Sequence, residues 1–247
     1  LHTVNINILT FDSLDSTNTE ALKQARLGAD EGLCIVAREQ TAGRGRHGRT
    51  WISEKDAGLY LSVVLRPKLD AQYLPLITLM AGVAVHDTLE EFGIKADIKW
   101  VNDLLVDEKK IAGILAETTE TNNGLAVVVG IGINLKKSAA TGDVATSIQE
   151  TGDGRQETGD LAEILTKFLS YFYDILNREN GPAETIDEWR RRSTYFSGKR
   201  VRVVLENETV TGVTDGLEPN GALRLQKADG SIAIIQAGDV ERLRLEN

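Results

Sequence analysis

Three arginines fall within six residues in Gly43-Arg44-Gly45-Arg46-His47-Gly48-Arg49-Thr50, inside a chain whose net charge is −9. Cations packed so closely repel one another unless an anion lies among them. Glycines let backbone N–H groups approach that anion, and arginine's planar fork binds carboxylate and phosphate through two parallel bonds. The segment therefore reads as an anion cradle, although a solvated basic turn stays open from this stretch alone. It also spells G-x-G-x-x-G, the dinucleotide fingerprint, and resembles a P-loop with Arg49 in place of lysine. Both motifs require a helix opening at the last glycine. Trp51 to Gly58 has no helical pattern and a strand follows, so both readings are set aside.

Other candidates lie further along. Lys99-Trp100-Val101-Asn102-Asp103 closes a strand with a polar cluster. Asp103 there suits orienting a metal or a cation, or is an ordinary turn aspartate. Lys110 stands at the mouth of the apolar run Ile111 to Leu115, as a cation aimed into a site or as a solvated strand end. Gly113 interrupts that strand, and Gly130 and Gly132 alternate in the next. Glycines at i and i+2 clear one face of a strand to about the width of a flat ligand; core packing is the competing account. The three histidines are scattered, so no metal cluster is visible, and no Ser-His-Asp or Cys-His order stands out. Cys34, the single cysteine, lies in an apolar run and reads as core filler; one cysteine forms no internal disulfide, which fits a reducing cytoplasm.

These residues need elements to hold them. Thr17 and Glu20 form a capping-box pattern, which predicts a helix from Thr17 to a stop at Gly28. Leu33 to Ala37 and Leu59 to Leu65 read as buried strands around a polar loop, Gln40 to Ser53. Leu74 to Phe92 has the period of a long packed helix. Short strands then follow at Ile94 to Trp100, Leu104 to Val106, Ile111 to Glu117 and Leu125 to Ile133. Residues 136–160, rich in Gly, Thr and Asp, read as a mobile surface loop. Helices are expected at about 160–178 and 183–194. Four strands follow, at about 200–205, 208–214, 222–227 and 231–236. The boundary falls near Ser197-Gly198, giving a main domain over 1–197 and a small β-domain over 198–247. The 247 residues are 41% hydrophobic and 26% charged, an ordinary globular composition. No run approaches the roughly 18 apolar residues of a membrane span, no signal peptide is apparent, and the acidic balance argues against nucleic acid.

In the order Asp15-Ser16-Thr17-Asn18, Gln40 to Arg46, Trp51, Lys99-Trp100 with Asn102-Asp103, Lys110 to Leu115, Gly130 to Asn134 and Ala145-Thr146-Ser147, the chain resembles the biotin–protein ligases. Gly216-Leu217, Gly221-Ala222-Leu223 and Gly238-Asp239-Val240 resemble that family's SH3-like C-terminal domain. The resemblance implies an α/β (α+β) fold, a mixed sheet with helices on one side and a small β-barrel appended. It implies a cytoplasmic ligase that makes biotinyl-5′-AMP from biotin and Mg²⁺-ATP, then transfers biotin to a lysine of a biotin carboxyl carrier domain. Ser16, Thr17, Asn18 and Gln40 are then expected around biotin's ureido ring. Arg44, Gly45 and Arg46 are expected over the activated carboxyl, and Gly113, Gly130 and Gly132 beneath it. Lys110 bridges carboxylate and α-phosphate, so Lys110, Arg46 and Arg44 are the expected catalytic cations. Trp51 and Asn134 are expected at adenine, with Asn102 and Asp103 placing nucleotide and Mg²⁺, Asp103 as metal ligand. Val101 stands where the family commonly has proline, and His47 where a larger basic or aromatic residue is usual.

About fifteen residues precede Ser16, too few for the family's DNA-binding domain, so a ligase without repressor function is expected, with a homodimer possible. The C-terminal unit carries no adenylation motif and is expected to help close over ATP or dock the carrier. A lipoate ligase is the nearest rival, disfavoured by the pairing of the glycine-arginine loop with Lys110. A non-catalytic sensor is disfavoured by the intact Arg46, Lys110 and Trp51.

Overall fold

The computed structural model describes residues 4–151 and 160–242. Its strands β1 (Asn7–Phe11), β2 (Leu33–Ala37), β3 (Gly58–Leu65), β4 (Asp97–Lys99), β5 (Asp103–Val106), β6 (Lys109–Thr121) and β7 (Gly124–Asn134) form one sheet in the order β1-β2-β3-β7-β6-β5-β4. β1 and β2 run parallel and the remaining neighbours antiparallel. The sheet is mixed, as expected. β1 itself is an addition to the sequence reading, since Asn7 and Thr10 break its apolar run and four of its five residues are exposed.

The helices are α1 (Thr17–Arg26), α2 (Leu76–Glu91), the single turn α3 (Ile148–Thr151), α4 (Leu161–Leu176) and α5 (Gly181–Arg191). Strand side chains alternate between faces. Leu59, Leu61, Val63 and Leu65 of β3 therefore enter the large core with α2, α4 and Trp189 of α5. Val64 points the other way, into a small cluster of Ile35, Ala126 and Val128 with Ala21, Leu22 and Ala25 of α1. The expectation of helices on one side thus fails for α1. Its ten residues carry too few apolar side chains to cover that face fully, and the part left over holds the site. α2 is buried nearly all round, as befits a helix packed between a sheet and two further helices.

The second sheet runs β11-β10-β9-β8-β12, from β8 (Ser197–Val204), β9 (Thr209–Leu217), β10 (Leu223–Gln226), β11 (Ile232–Ile235) and β12 (Asp239–Arg242). It has one strand more than the sequence pattern suggested, because β12 is short and charged. Among the described residues no pairing joins β11 to β12, so the expected barrel is an open antiparallel sheet. Val201, Val203, Leu223, Leu225, Ile235 and Val240 belong to the same continuous core as α2. Trp100 Nε1–H donates to Gly221 O at 2.9 Å across the junction. The small sheet therefore shares the main body's core, the dependence expected of a unit too small to stand alone.

Within the stretch expected as a mobile loop, residues 145–148 are instead built into the fold. Ala145, Thr146, Ser147 and Ile148 are buried, and Thr146 N–H donates to Lys110 O at 2.9 Å. Residues 152–159 lie outside the described residues.

Candidate active site

The floor of the site is set by strand register. Ser62 pairs with Gly130 and Tyr60 with Gly132, while Gly113 pairs with Gly132 and Leu115 with Gly130. Paired residues share a face, so the glycines lie on the α1 side, just beyond the helix N-terminus. A Cβ on Gly130 would sit 2.0 Å from Asn18 Oδ1. On Gly132 it would sit 2.4 Å from the Trp51 ring, and on Gly113 2.8 Å from the same ring. The glycine groove exists, but Asn18 and Trp51 line it directly, so the surface it offers is formed by these side chains rather than by bare backbone.

Ser16, not Thr17, caps α1, its side chain accepting from Thr19 N–H. That shift frees Thr17 for tertiary contacts. Thr17 donates to Gln40 Oε1 from its backbone N (2.8 Å) and its hydroxyl (3.1 Å). Gln40 Nε2 donates to Ser53 Oγ at 2.7 Å. Ser62, fully buried, lies 2.7 Å from Thr17 Oγ1 and 2.6 Å from Asn18 Oδ1. Asn18 Nδ2 reaches Leu115 O at 3.2 Å and Glu117 Oε2 at 2.7 Å. The result is a polar cradle at the positive end of a helix dipole.

The arginine segment is an ordered hairpin. Trp51 N–H donates to Gly43 O (2.9 Å) and Gly45 N–H to Arg49 O (2.7 Å). Gly43 is required there, since a Cβ would fall 2.4 Å from Trp51 O. The turn places His47 at φ 54° and Gly48 at φ 72°. Each arginine has a partner. Arg44 Nη2 donates to Glu117 Oε2 at 2.7 Å. Arg46 Nη1 donates to Asn102 Oδ1 at 3.0 Å and to Gly238 O at 3.3 Å. Arg49 pairs with Asp239. Burial is the largest influence on Arg46 and lowers its pKa, opposed by Asp239 and Asp103; the guanidinium still carries its charge at neutral pH.

Lys110 is delivered by a register shift. Leu104 stands opposite Ala112, but Leu105 stands opposite Lys110, which leaves Ile111 as the extra residue. Such a bulge re-aims side chains: Ile111 is fully buried in the large core, and Lys110 Nζ meets Asp103 Oδ1 at 2.6 Å. Lys99 Nζ reaches the other oxygen of Asp103 at 3.3 Å. Burial alone would raise the Asp103 pKa; Lys110, then Lys99, more than offset it and hold the carboxyl below its ordinary range. The Lys110 carbonyl is fixed from behind by Thr146 N–H and, at 3.3 Å, by Asn134 Nδ2, which also donates to Thr146 O at 3.0 Å. The Lys110 ammonium lies 5.1 Å from the Trp51 ring centroid.

Two cavities meet here. The first, about 120 Å³, is lined by the α1 cradle, the three glycines, Arg44, Gly45, Arg46 and Asn102. The second, about 610 Å³, is lined by Lys99, Asn134, Val144, Tyr195 and Val240 among others. Arg49, Thr50, Trp51, Asp103 and Lys110 border both. The structure thus brings every expected biotin residue into the first cavity, and Trp51, Asp103 and Asn134 into the second. Asn102, expected at the nucleotide, lies instead in the first and holds Arg46. Four contributors escaped the sequence reading: Ser62, Glu117, Gly238 and Asp239. Ser62 offered one faint signal, a polar residue inside a strand that is otherwise apolar. Away from the site, His86, Asp87 and Glu90 approach one another on α2, but Arg192 engages both oxygens of Asp87.

Comparison with known proteins places the chain in a family. Residues 10–134 match the biotin/lipoate A/B protein ligase family, and residues 196–243 match the biotin protein ligase C-terminal domain. The chain is 35% identical over 243 residues to the bifunctional ligase/repressor BirA of Bacillus subtilis, covering 95% of this chain and 74% of that one. It is 34% identical over 237 residues to the biotin–[acetyl-CoA-carboxylase] ligase of Mycobacterium tuberculosis, covering 93% and 86%. The solved biotin protein ligase of Aquifex aeolicus, in complex with biotin and ATP, superposes with a TM-score of 0.83 at 28% identity, covering 96% and 99%. With a matching catalytic unit, a matching C-terminal domain and one site built between them, the chain belongs to the biotin/lipoate A/B protein ligase family as a biotin–protein ligase.

Proposed function

We propose that this chain binds biotin in the first cavity and ATP in the second, forms biotinyl-5′-AMP where they meet, and passes biotin to a lysine of a carrier domain. The observation that carries this reading is the shared wall: Lys110, Asp103, Trp51 and Arg49 border both cavities. A urea ring needs donors and acceptors at fixed angles, which Ser16, Thr17, Asn18 and Gln40 supply. Adenine has an aromatic partner in Trp51, with Asn134 at the same cavity.

In the first step a biotin carboxylate oxygen attacks the α-phosphorus and pyrophosphate leaves. Two anions must approach, so cations fixed beforehand lower the barrier without reorganising during the reaction. Lys110 is such a cation, held by Asp103 on a strand; Arg46, held by Asn102 and Gly238 O, adds its charge while the hairpin stays closed. In the second step a neutral lysine amine of the carrier attacks the carbonyl carbon, AMP leaves, and the amine loses a proton. The hairpin covers the mixed anhydride and keeps water from it.

Among the described residues, Asp103 and Asp239, the carboxylates beside Lys110 and Arg49, do not fit a protein-held magnesium site. Mg²⁺ takes several oxygen ligands in octahedral array, whereas Asp103 faces two ammonium groups and Asp239 faces Arg49. In place of the metal role expected of Asp103, this reading makes it the counter-ion to Lys110, and any Mg²⁺ would be held by the nucleotide rather than by the protein. The test is to incubate the protein with biotin, Mg²⁺-ATP and the biotin domain of an acetyl-CoA carboxylase, then weigh the domain. One biotin added at a single lysine is expected, with no adduct when lipoate replaces biotin. An unmodified domain overturns the reading.

A further inference from the structure

We propose that Glu117 is a positioning residue that sets the hydrogen-bond polarity of the biotin cradle and fastens the arginine hairpin over it. This rests on the biotin reading above. Glu117 lies on β6 two residues beyond Leu115, opposite Val128, and so faces the α1 side of the sheet. One oxygen, Oε2, accepts from Asn18 Nδ2 and from Arg44 Nη2, each at 2.7 Å.

The first bond decides which way Asn18 points. A carboxamide has a donor end and an acceptor end of nearly equal shape. Leu115 O and Glu117 Oε2 are both acceptors, so only the NH₂ end can face them, and Oδ1 is directed to Ser62 at 2.6 Å. The acceptor pattern offered to a urea's N–H groups is thereby fixed before ligand arrives. Leu115 O alone, at 3.2 Å, is the weaker of the two anchors. The second bond explains Arg44. The ureido end of biotin is uncharged, so a guanidinium there needs another anion, and Glu117 is that anion. Arg44 consequently acts as a clamp between hairpin and sheet, and the reacting carboxylate is left to Arg46 and Lys110. A charge-assisted pair of this kind closes the hairpin at its Gly43 end, while Arg46 and Arg49 close the far end on the C-terminal sheet.

Glu117→Leu removes both bonds; Glu117→Gln keeps an acceptor for Asn18 and removes the charge opposite Arg44. Four measurements separate the roles: melting temperature, biotin affinity by calorimetry, adenylate release by rapid dilution, and biotin-dependent pyrophosphate exchange at saturating biotin. Glu117→Leu is expected to weaken biotin binding about ten- to a hundredfold, with a smaller loss in saturated exchange rate. Glu117→Gln should bind biotin within about threefold of the parent yet release the adenylate about tenfold faster. Arg44→Ala added to Glu117→Leu should cost nothing further, the mark of one shared unit. The proposal is overturned if folded Glu117→Leu binds biotin like the parent, or if the Arg44 and Glu117 effects multiply independently. Should Glu117→Leu fail to fold, an adenylate release from Glu117→Gln equal to the parent's overturns it. A parent protein that binds no biotin removes the function proposed above and this inference with it.

Discussion

Lys110 and the arginine hairpin deliver positive charge to the same point by opposite means. Lys110 is held by its own sheet: a bulge aims it, Asp103 pairs with it, and Thr146 and Asn134 fix its carbonyl. The hairpin borrows its supports from elsewhere, from Glu117 on one side and, on the other, from Asn102 and from Gly238 and Asp239 at the start of β12. A cation fixed within a sheet is in place before ligand arrives. A cation on a hairpin strung between two parts of the molecule is in place only while both attachments hold. The difference implies that Lys110 serves the chemical step, and that the hairpin serves retention of what that step makes.

The largest test of this contrast is Lys110→Ala. It removes the sheet-borne cation and leaves Asp103 facing the incoming carboxylate, so biotin-dependent pyrophosphate exchange should fall at least about a hundredfold. Exchange near the parental rate breaks the contrast at once. Next comes Arg46→Gly, which deletes the charge-assisted bonds to Asn102 and Gly238 O. Adenylate release measured by rapid dilution should quicken about ten- to a hundredfold, with exchange reduced less than in Lys110→Ala and with lysines of bystander proteins labelled. If exchange falls as far as in Lys110→Ala, the two cations do the same work and the contrast is wrong. Asp239→Asn is milder. Arg49 is two-thirds exposed, and exposed ion pairs contribute little, so release should rise only a few-fold. A parental release rate in that variant means the second sheet does not hold the hairpin. The point substitution is cleaner than a cut at Ser197, which would strip Val201, Leu223 and Val240 from the common core.

The same contrast marks what could be read from the sequence. Residues that carry their own reason in local pattern were legible: Arg46 among glycines, Lys110 at a strand mouth, Gly113 and the Gly130–Gly132 pair interrupting apolar strands. Partners supplied by distant chain were not. Glu117 and Asn18 are 99 residues apart, and Arg49 and Asp239 are 190 apart; nothing local to Glu117 or Asp239 distinguishes them from other surface acids. β1 and β12 were missed for a related reason, because edge strands stabilised by pairing need no apolar alternation. The Ala145 to Ile148 stretch misled in the opposite sense, its small polar residues reading as loop although they brace Lys110.

The smallest expected effect is an absence of change, and it sharpens the comparison from the side of pH. Asp103 is held below its ordinary value of 3.8 because Lys110 and Lys99 outweigh the penalty of its burial. A carboxyl depressed by folding contributes stability that is fully present above its unfolded pKa and is lost as pH falls through the folded one. The Asp103–Lys110 pair should therefore be indifferent to pH from about 8 down to about 5. Melting temperatures of the parent and of Asp103→Asn, recorded across that range, should differ by a constant amount. Below 3.8 the difference should shrink as the parent's carboxyl takes up its proton. A gap that already narrows between pH 7 and pH 5 (about two units above the ordinary value) would mean that Asp103 titrates as an unpaired buried acid. Lys110 would then lack the fixed partner on which its readiness before ligand binding depends.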